Sequence, residues 1–399
     1  MDLRRNRIAL IAAASAAVLM TAPLAAAEPN LAAADSGGFS SDNVEWVSIN
    51  PRHVGTSGGK LVGKYYYLTD PRGLFIYDTS KPESPQLAGQ LLAPQIGSGA
   101  ALAQEDPDTN GKILLVNAYT QGGSPTALKV IDVSDKTAPK VAGSIALSDH
   151  TWTCFLDCKY AIGRTGHVLD LRDPAEPKEI ANWKDHVDGA NYMHDFEEVA
   201  PGLLIGAGQP SFYLDMRNPL KPKELSGFSP DFHALGYHSA IWPRQAKDSL
   251  LLMSAEVAPQ GTSTAGSDCA QDDVHALATF DARAAVKKGP RPGAIFKKLS
   301  EWRVGGRGAY ADGNAPAHTL YCGHWFDPHP DWRNGGVVAI GHYDWGTRFV
   351  EVSSNGKMEE IGYFQPIAGH TSSAEWISDD IVYVHDYRRG LEILRFTGK

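Results

Sequence analysis

Cysteine is scarce in this sequence, and basic residues are outnumbered by acidic ones. The 399 residues include 4 Cys, and 37 Lys and Arg stand against 46 Asp and Glu, which gives a formal net charge of −9 at pH 7. A small scaffold stapled by disulfides is therefore excluded. Without a global basic field there is nothing to attract a polyanion, so we expect no nucleic-acid partner.

A long hydrophobic run occurs once, at the N-terminus. Three arginines precede an apolar stretch from Ile8 to Leu24, and three alanines follow it, as in a secretory signal. Pro23 interrupts this stretch and nothing comparable recurs, so no permanent membrane span is expected. The sequence predicts a signal peptide over residues 1–27 and a secreted, extracellular protein. Sec and twin-arginine export both stay open, because Arg7 stands where the twin-arginine pattern favours an apolar residue.

Turn formers and aromatic residues are abundant. The chain has 40 Gly and 25 Pro together with 13 Phe, 15 Tyr and 9 Trp, whereas only 21% of its residues are charged. This composition is typical neither of a disordered tail nor of a coiled coil. It favours an all-β protein built from short strands and tight turns.

An internal repeat is the strongest signal. An Asp at the end of a β-rich run is followed seven residues later by Pro in four places: Asp78 and Pro85, Asp132 and Pro139, Asp170 and Pro177, Asp215 and Pro222. Asp can accept hydrogen bonds from the N–H groups of a turn, and Pro, which lacks a donor, is tolerated at the start of an outer strand. Weaker copies end at Asp281 and Glu351, and a last one is the run 391–394. The repeat therefore indicates one hairpin copied seven times.

Each copy is preceded by two further strand candidates, giving four strands in a unit of about 53 residues. Seven such units predict a seven-bladed β-propeller over residues 44–399, with four-stranded antiparallel blades. The last unit lacks an outer strand, and the run from Val44 to Ile49 is a spare strand before the first unit. We expect this N-terminal strand to complete the last blade and close the ring, which removes an exposed edge. Residues 28–43 are predicted to form a flexible leader, and a monomer is expected.

Four cysteines in an exported chain favour two disulfides over metal thiolates or a nucleophile. Cys154 and Cys158 bracket a three-residue loop that could place them opposite each other across a hairpin. Cys269 and Cys322 would then be left to pair with each other. A redox-active couple of Cys154 and Cys158 is the alternative.

Histidines recur in register with the repeat. Six histidines each precede the end of the second strand of their unit by 11 to 16 residues: His53, His150, His194, His238, His324 and His370. Only the second unit lacks such a histidine. In a propeller these positions lie where the chain enters the innermost strand, close to the central channel. Loops joining second to third strands open on the same face and supply further polar groups: Asp70, Arg164, Glu256, His342, Asp344, His385 and Asp386.

Two interpretations of these histidines stay open. Four of them come from consecutive blades, and with two loop residues they form a candidate ligand set for a divalent or copper ion: His194, His238, His324, His370, Glu256 and His342. Alternatively each His is bonded within its own blade as a scaffold element. The pairs Gly323-His324 and Gly369-His370 reproduce the dipeptide that has this scaffold role in WD-repeat propellers.

A Gly-, Ser- and Asp-rich insertion from Pro259 to Asp273 is predicted to border the channel as a lid, because it joins the second and third strands of the fifth unit. A nucleophile elbow, a His-Glu-x-x-His motif and a dinucleotide fingerprint are all missing from the sequence. No catalytic residue is therefore assigned from sequence motifs.

The segments Leu74 to Asp78 and Leu128 to Asp132, each followed by a Ser-containing turn, resemble the LVIVD repeat of secreted bacterial propellers. This resemblance extends over residues 44–399 and implies a propeller of largely uncharacterised function. In repeat style and histidine usage the chain is also distantly similar to selenium-binding protein and methanethiol oxidase propellers, a similarity that implies a copper-dependent activity.

We therefore expect a secreted recognition module that presents a His-lined channel mouth to a protein, glycan or small-molecule ligand. The competing hypothesis is a metal-dependent extracellular enzyme with a multi-His site on the propeller axis, either a copper oxidase or a lyase that uses a divalent ion. Convergence of at least three of the candidate ligands on one point would distinguish a metal site from a scaffold.

Overall fold

The computed structural model describes residues 37–97, 104–120, 125–188, 192–228, 237–256, 276–288, 296–304 and 323–398. Seven antiparallel sheets are arranged around an axis, so the protein is a β-propeller of seven blades, as the repeat predicts. The Asp-x6-Pro hairpins supply the third and fourth strands of the blades.

Within each blade the strands follow in chain order from the innermost position outward, except that the N-terminal strands take the outer positions of blades 6 and 7. Blade 1 contains β3 (Gly59–Val62), β4 (Tyr65–Asp70), β5 (Gly73–Asp78) and β6 (Gln86–Leu92). Blade 2 contains β7 (Ile113–Tyr119), β8 (Pro125–Asp132) and β9 (Lys140–Ile145). Blade 3 contains β10 (Trp152–Phe155), β11 (Tyr160–Gly163), β12 (His167–Asp170) and β13 (Lys178–Asn182). Blade 4 contains β14 (Tyr192–Ala200), β15 (Leu203–Gln209), β16 (Phe212–Asp215) and β17 (Lys223–Gly227).

Blade 5 contains β18 (Ser239–Ile241), β19 (Leu250–Ser254), β20 (Leu277–Asp281) and β21 (Lys297–Trp302). Blade 6 contains β22 (Phe326–Pro328), β23 (Gly336–Gly341), β24 (Thr347–Val352), β25 (Met358–Pro366) and, at its outer edge, β1 (Gly38–Ser40). Blade 7 contains β26 (Thr371–Trp376), β27 (Ile381–Asp386), β28 (Gly390–Phe396) and the outer strand β2 (Val44–Asn50). The short helices are α1 (Ala93–Ile96), α2 (Pro243–Ala246) and α3 (Arg283–Lys288), with 3-10 turns at Pro51–His53 and Trp183–His186.

The repeated Asp closes each hairpin through the turn that follows it. Oδ1 of Asp78 accepts a hydrogen bond from the N–H of Ser80 at 2.9 Å, and Oδ1 of Asp132 accepts one from Ser134 at 3.0 Å. The same bond to the residue two positions on is made by Asp170, Asp215 and Asp281. The side-chain acceptor predicted for these turns is thus present in five blades.

Blade 2 departs from the four-strand pattern. Its innermost position is occupied by the segment 104–109, which pairs with β7 only through an isolated bridge between Thr109 and Leu114. The segment is anchored by side chains instead, because Gln104 Oε1 accepts from Asn117 Nδ2 at 3.1 Å. A loosely paired inner segment leaves its own side chains to project toward the channel.

The N-terminal segment closes the ring as predicted. Strand β2 pairs antiparallel with β28, with Val44 opposite Phe396 and Asn50 opposite Leu391. Strand β1 lies in the stretch for which the sequence predicts a flexible leader, yet it pairs with β25 of blade 6. Gly38 permits this pairing because a Cβ there would lie 2.7 Å from the carbonyl oxygen of Gln365.

The hydrophobic core lies between neighbouring blades. Between blades 6 and 7, Phe349 and Phe396 stack with their ring centroids 4.5 Å apart. Across the seam between blades 7 and 1, Tyr383 meets Tyr66 edge to face at 5.1 Å. Each blade therefore buries both faces only when its neighbours are present. Within the described part of the chain, no helix combines the length and apolarity needed to cross a bilayer.

A disulfide joins Cys154 and Cys158 across the turn between β10 and β11, as one of the two sequence interpretations requires. The first three residues of this turn, Leu156, Asp157 and Cys158, all have positive φ angles between 51° and 60°. Cys269, Cys322 and the candidate lid 259–273 lie outside the described residues.

Candidate metal centre at the channel mouth

Two of the histidines lie near the propeller axis because they stand just before the innermost strand of their blade. His238 directly precedes β18 and its N–H donates to the carbonyl of Ser254 at 2.9 Å. His324 lies two residues before β22 and its N–H donates to the carbonyl of Gly341 at 2.9 Å. Each bond fixes the start of an inner strand to the end of the second strand of its own blade. The side chains are thereby presented at the channel mouth, where the repeat predicts them.

Four imidazoles surround one carboxylate oxygen. Glu105 Oε2 lies 3.2 Å from Nε2 of His150 and 3.7 Å from Nε2 of His194. The same oxygen lies 3.7 Å from Nε2 of His238 and 3.9 Å from Nε2 of His324. Residues from blades 2, 3, 4, 5 and 6 thus meet within one small volume, hereafter the His/Glu cluster.

A second carboxylate completes the cluster. Glu256 Oε2, in the loop after β19, lies 3.5 Å from Nε2 of His238. Within the described residues, three overlapping groups have ligand atoms within 4.8 Å of one another: Glu105 with His150 and His194, Glu105 with His238 and His324, and Glu256 with His194 and His238. A single ion, or two adjacent ions, could be held by these groups.

Two of the imidazoles are oriented by hydrogen bonds at their other nitrogen. His194 Nδ1 lies 3.0 Å from the carbonyl oxygen of His238, and His324 Nδ1 lies 3.0 Å from that of Ser372. A carbonyl can only accept, so Nδ1 of each ring carries the proton and Nε2 is the unprotonated nitrogen, which in His194 faces Nε2 of His150 at 3.0 Å. This backbone contact is the usual support of a metal-ligating histidine.

His238 is almost fully buried, with 1% of its surface exposed, and neither of its ring nitrogens has a hydrogen-bond partner among the described residues. A buried imidazole without partners is costly, since it has lost its water and gained no hydrogen bond in return. A bound ion at Nε2 would remove part of that cost. The burial of His238 therefore indicates that the site is built for an additional group.

The protonation states suit a cation. Burial and repulsion from His238 hold the pKa of His194 well below its usual range, and the same two causes lower the pKa of His324 to about 4. Burial acts to raise the pKa of Glu105, but the neighbouring imidazoles, His150 first, outweigh it and hold this pKa well below its usual range. Near neutral pH His194 and His324 thus offer neutral imidazoles and Glu105 an ionised carboxylate, the forms that bind metal ions. Burial acts to lower the pKa of His150, but its hydrogen bond to Glu105 outweighs burial and raises this pKa, so metal binding at His150 would release a proton.

The spacing of the ligand atoms suits one coordination sphere. Bonds of 2.0 to 2.1 Å in a tetrahedron separate the ligand atoms by about 3.3 Å. His150 Nε2 lies 3.0 Å from His194 Nε2, and Glu105 Oε2 lies between 3.2 and 3.9 Å from the four imidazoles. A set of imidazole nitrogens and carboxylate oxygens suits first-row divalent ions better than calcium or magnesium.

The predicted ligands divide into two sets. His194, His238, His324 and Glu256 come together in the His/Glu cluster. His370 and His342 lie outside it. His370 is held by Asp344, whose Oδ1 is 2.7 Å from its Nδ1, and His342 is fully buried edge-on to Trp302 with ring centroids 6.2 Å apart.

Other register histidines have scaffold roles. His53 is fully buried between Asp70, 2.8 Å from its Nδ1, and the hydroxyl of Tyr77, 2.6 Å from its Nε2. The loop residue His385 is held between the hydroxyls of Thr56 at 2.7 Å and Tyr66 at 2.5 Å. His53 therefore has the scaffold role within its own blade, His385 joins blade 7 to blade 1, and the role of the clustered histidines as metal ligands stays a prediction.

Glu105 was not anticipated, although the sequence carries a signal for it. The second unit is the one without a register histidine, and Glu105 stands 11 residues before Val116, the last apolar residue of its second strand. That interval is the one that separates His194 from Ile205. A search for any metal-ligating residue type at this position would have found Glu105. His150 was in register but was not among the proposed ligands.

Aromatic rings extend the cluster along the mouth. The Tyr343 hydroxyl donates a short hydrogen bond to Glu256 Oε1, and its ring lies parallel to His370 at 4.6 Å. Tyr387 also lies beside this imidazole, with its ring centroid 5.5 Å from that of His370. Burial, and then the charge of Glu256, raise the pKa of Tyr343 well above its usual range, so the hydroxyl keeps its proton.

Comparison with known families gives one match. The LVIVD repeat family matches residues 58–92 and 125–146, which correspond to blade 1 and to β8 and β9 of blade 2. The chain thus carries LVIVD repeats in its first two blades. No curated protein matches the chain.

Proposed function

We propose that the His/Glu cluster binds a first-row divalent transition-metal ion, and that this propeller presents the ion at the channel mouth to a protein, glycan or small-molecule ligand. The observation that carries the proposal is the approach of four imidazole Nε2 atoms to within 3.9 Å of Glu105 Oε2. A structural histidine needs no such convergence, because one partner in its own blade satisfies it, as His53 shows.

The ligand would complete the coordination of the ion. His150, with a side chain that is 36% exposed, lies on the solvent side of the cluster, whereas His238 and His324 are almost fully buried. A ligand approaching from the mouth would meet the ion beside His150. Oxygen or nitrogen donors of a glycan, an acidic side chain or a small molecule are suited to such an ion.

A catalytic use of the ion is the second candidate, favoured by the bond between Tyr343 and Glu256. A phenol hydrogen-bonded to a carboxylate beside a metal site can donate or accept a proton at a bound substrate. The ion would polarise the substrate when bound. Tyr343, held flat against His370, would keep its hydroxyl at a fixed position relative to Glu256.

Export is part of the proposal. The N-terminal pattern of residues 1–27 supports it, as does the disulfide between Cys154 and Cys158, because such bonds persist mainly in oxidising compartments. N-terminal sequencing of protein recovered from the producing cell tests this point. A mature chain that begins near Glu28 is expected, and an intact Met1 in a cytoplasmic fraction would contradict it.

Metal content tests the proposal directly. Untagged protein is analysed for metals as isolated and after add-back of Mn²⁺, Fe²⁺, Co²⁺, Ni²⁺, Cu²⁺ and Zn²⁺ followed by desalting. We expect about one equivalent of one of these ions in the folded protein, because the spacing of the ligand atoms suits one coordination sphere. Less than about a tenth of an equivalent after add-back, with any of the ions, would contradict the proposal.

A matched pair of variants locates the ion. His238→Ala should abolish retention of the metal, whereas His167→Ala should not, because His167 lies on β12 and pairs with Glu179 at 2.7 Å away from the channel. Activity screens with the loaded protein then separate the two uses. A metal-dependent turnover lost in Tyr343→Phe supports the catalytic role, and ligand binding that survives this change supports presentation.

A further inference from the structure

The channel continues past Glu105 into a cavity of about 260 Å³, hereafter the axial chamber. Three aromatic side chains line it, those of Trp325, Phe326 and Trp376. The other lining groups that matter here are six carboxyl groups and one lysine: Glu105, Asp106, Asp195, Glu197, Asp327, Glu375 and Lys60. They come from the innermost segments of blades 1, 2, 4, 6 and 7. Acidic groups from distant parts of the chain therefore share one cavity with a single cation among the described lining residues.

Some of these carboxylates have protein partners. Glu375 Oε1 accepts from the N–H of Gly59 at 3.1 Å, and its Oε2 accepts from the hydroxyl of Tyr66 at 2.6 Å. Asp327 Oδ2 accepts from the N–H of Trp376 at 2.9 Å. These bonds fix the walls of the axial chamber.

Asp195 is different. It is only 2% exposed, and its Oδ1 is buried without a hydrogen-bond partner among the described residues. A buried carboxyl oxygen without a hydrogen-bond partner is unfavourable. Asp195 lines the axial chamber, so a donor placed inside that chamber could satisfy it. The nearby indole Nε1 of Trp325 also has no partner in the described structure and could donate to a polar ligand.

Lys60 indicates which kind of cation fits. Its side chain lines the chamber together with the six carboxyl groups, and its ammonium group approaches Asp108 Oδ1 only to 3.9 Å, so it offsets part of the acidity without forming a close pair. A second ammonium could be accommodated in the same way. The described groups able to hold a metal ion all lie in the His/Glu cluster, and Lys60 would repel a divalent ion at this site.

We propose that the axial chamber binds a small organic ammonium ion, which donates to Asp195 Oδ1 and packs its alkyl part against the aromatic wall of Trp325 and Phe326. Acidic groups with neighbouring aromatic rings are the surroundings in which organic cations bind best. Burial, and then repulsion from other carboxylates, raise the pKa of Glu197 to about 7, and burial raises that of Glu375 to about 8. A bound ammonium would favour their ionised forms and so release protons.

Calorimetry on the full mature chain tests this inference. The probes are n-butylamine hydrochloride as the ammonium and 1-butanol as its neutral counterpart. We expect saturable 1:1 binding of the amine only, with proton release measured as a dependence of the heat on the ionisation enthalpy of the buffer. Asp195→Asn should weaken amine binding about tenfold or more, since a charge-assisted hydrogen bond is lost. Asp135→Asn, at an exposed turn, is the matched control and should not change it.

A second variant keeps the test decisive if Asp195→Asn does not fold. Lys60→Met removes the resident ammonium, so n-butylamine should raise the melting temperature of this variant by more degrees than that of the wild type. The absence of amine binding, equal binding of 1-butanol, or binding of Ca²⁺ without the amine would each overturn the proposal. Metal content at the His/Glu cluster is measured in the same samples, so a failure there is recognised separately.

Discussion

His194 Nδ1 lies 3.0 Å from the carbonyl oxygen of His238, so the backbone of one cluster residue orients the imidazole of the preceding one. The two rings also stack, with centroids 3.8 Å apart. Blades 4 and 5 are therefore linked at the axis by the same residues that offer Nε2 atoms to the cluster. A change at either histidine should alter the position of both.

Glu105 should control metal affinity. Glu105→Gln removes the negative charge at the centre of the four imidazoles, so we expect a metal affinity lower by about tenfold or more, measured by competition with a chromophoric chelator. Glu198→Gln is the matched control, because Glu198 is another partly buried Glu whose Oε1 accepts from the N–H groups of Leu156 and Gly202. Equal affinities in the two variants would count against Glu105 as a ligand.

The acidic wall of the channel should weaken the fold as the pH rises. The pKa of Glu375 is about 8 in the folded protein, because burial raises it from about 4.5. Between these two values the folded state holds more protons than the unfolded state, so the free energy of unfolding falls as pH increases. Glu375→Gln removes this contribution.

We therefore expect the stability of Glu375→Gln relative to wild type to grow between pH 5 and pH 8. Urea unfolding of metal-free protein at both pH values measures it, with the exposed substitution Glu176→Gln as control. A difference between Glu375→Gln and wild type that is the same at both pH values would refute the prediction.

Closure of the ring by β2 should be worth a measurable part of the stability. Val44 is 4% exposed and packs against the cluster that contains Phe349 and Phe396. Val44→Ala should lower the free energy of unfolding by about 2 kcal/mol, because two buried methyl groups are lost and a cavity is left. Leu220→Ala, at a side chain that is 56% exposed, should change it by less than about 0.5 kcal/mol in the same denaturant titration.

The disulfide between Cys154 and Cys158 should be found by peptide mapping of unreduced protein. Its loop is short, so the double variant Cys154→Ser, Cys158→Ser should lose roughly 2 kcal/mol on chain-entropy grounds. The single exposed substitution Lys159→Ala provides the comparison for local effects in the same turn. Alkylation of both cysteines in native, unreduced protein would contradict the assignment.

The fold could be predicted from the sequence because its repeat has a local cause. Asp78 and its counterparts accept hydrogen bonds from a turn only two residues away, so the hairpin is encoded within each copy. The closing role of β2 followed from counting strands, since one unit lacked an outer strand and one strand was spare. Strand β1 was missed because three residues, one of them Gly, carry no periodicity.

The site could be predicted less completely. The spacing within the repeat places His194, His238 and His324 at the axis, and it places His53 and His370 there equally. In the structure, however, His53 is bonded to Asp70 and His370 to Asp344, outside the His/Glu cluster. Whether an imidazole faces its own blade or the axis depends on partners distant in the chain, such as Asp70 for His53. The axial chamber was not anticipated, because its carboxylates come from four blades and share no spacing.

The N-terminal segment links three blades in succession, since β1 joins blade 6, β2, only a few residues later, joins blade 7, and the chain then enters β3 of blade 1. A tether or surface attachment placed on the N-terminal side would therefore load the sheet of blade 6 before that of blade 7. Under load, β1 and β2 resist in series, so the outer edge of blade 6 protects the strand that closes the ring. Mechanical rupture should accordingly start by peeling β1 from its sheet, with β2 leaving blade 7 only afterwards.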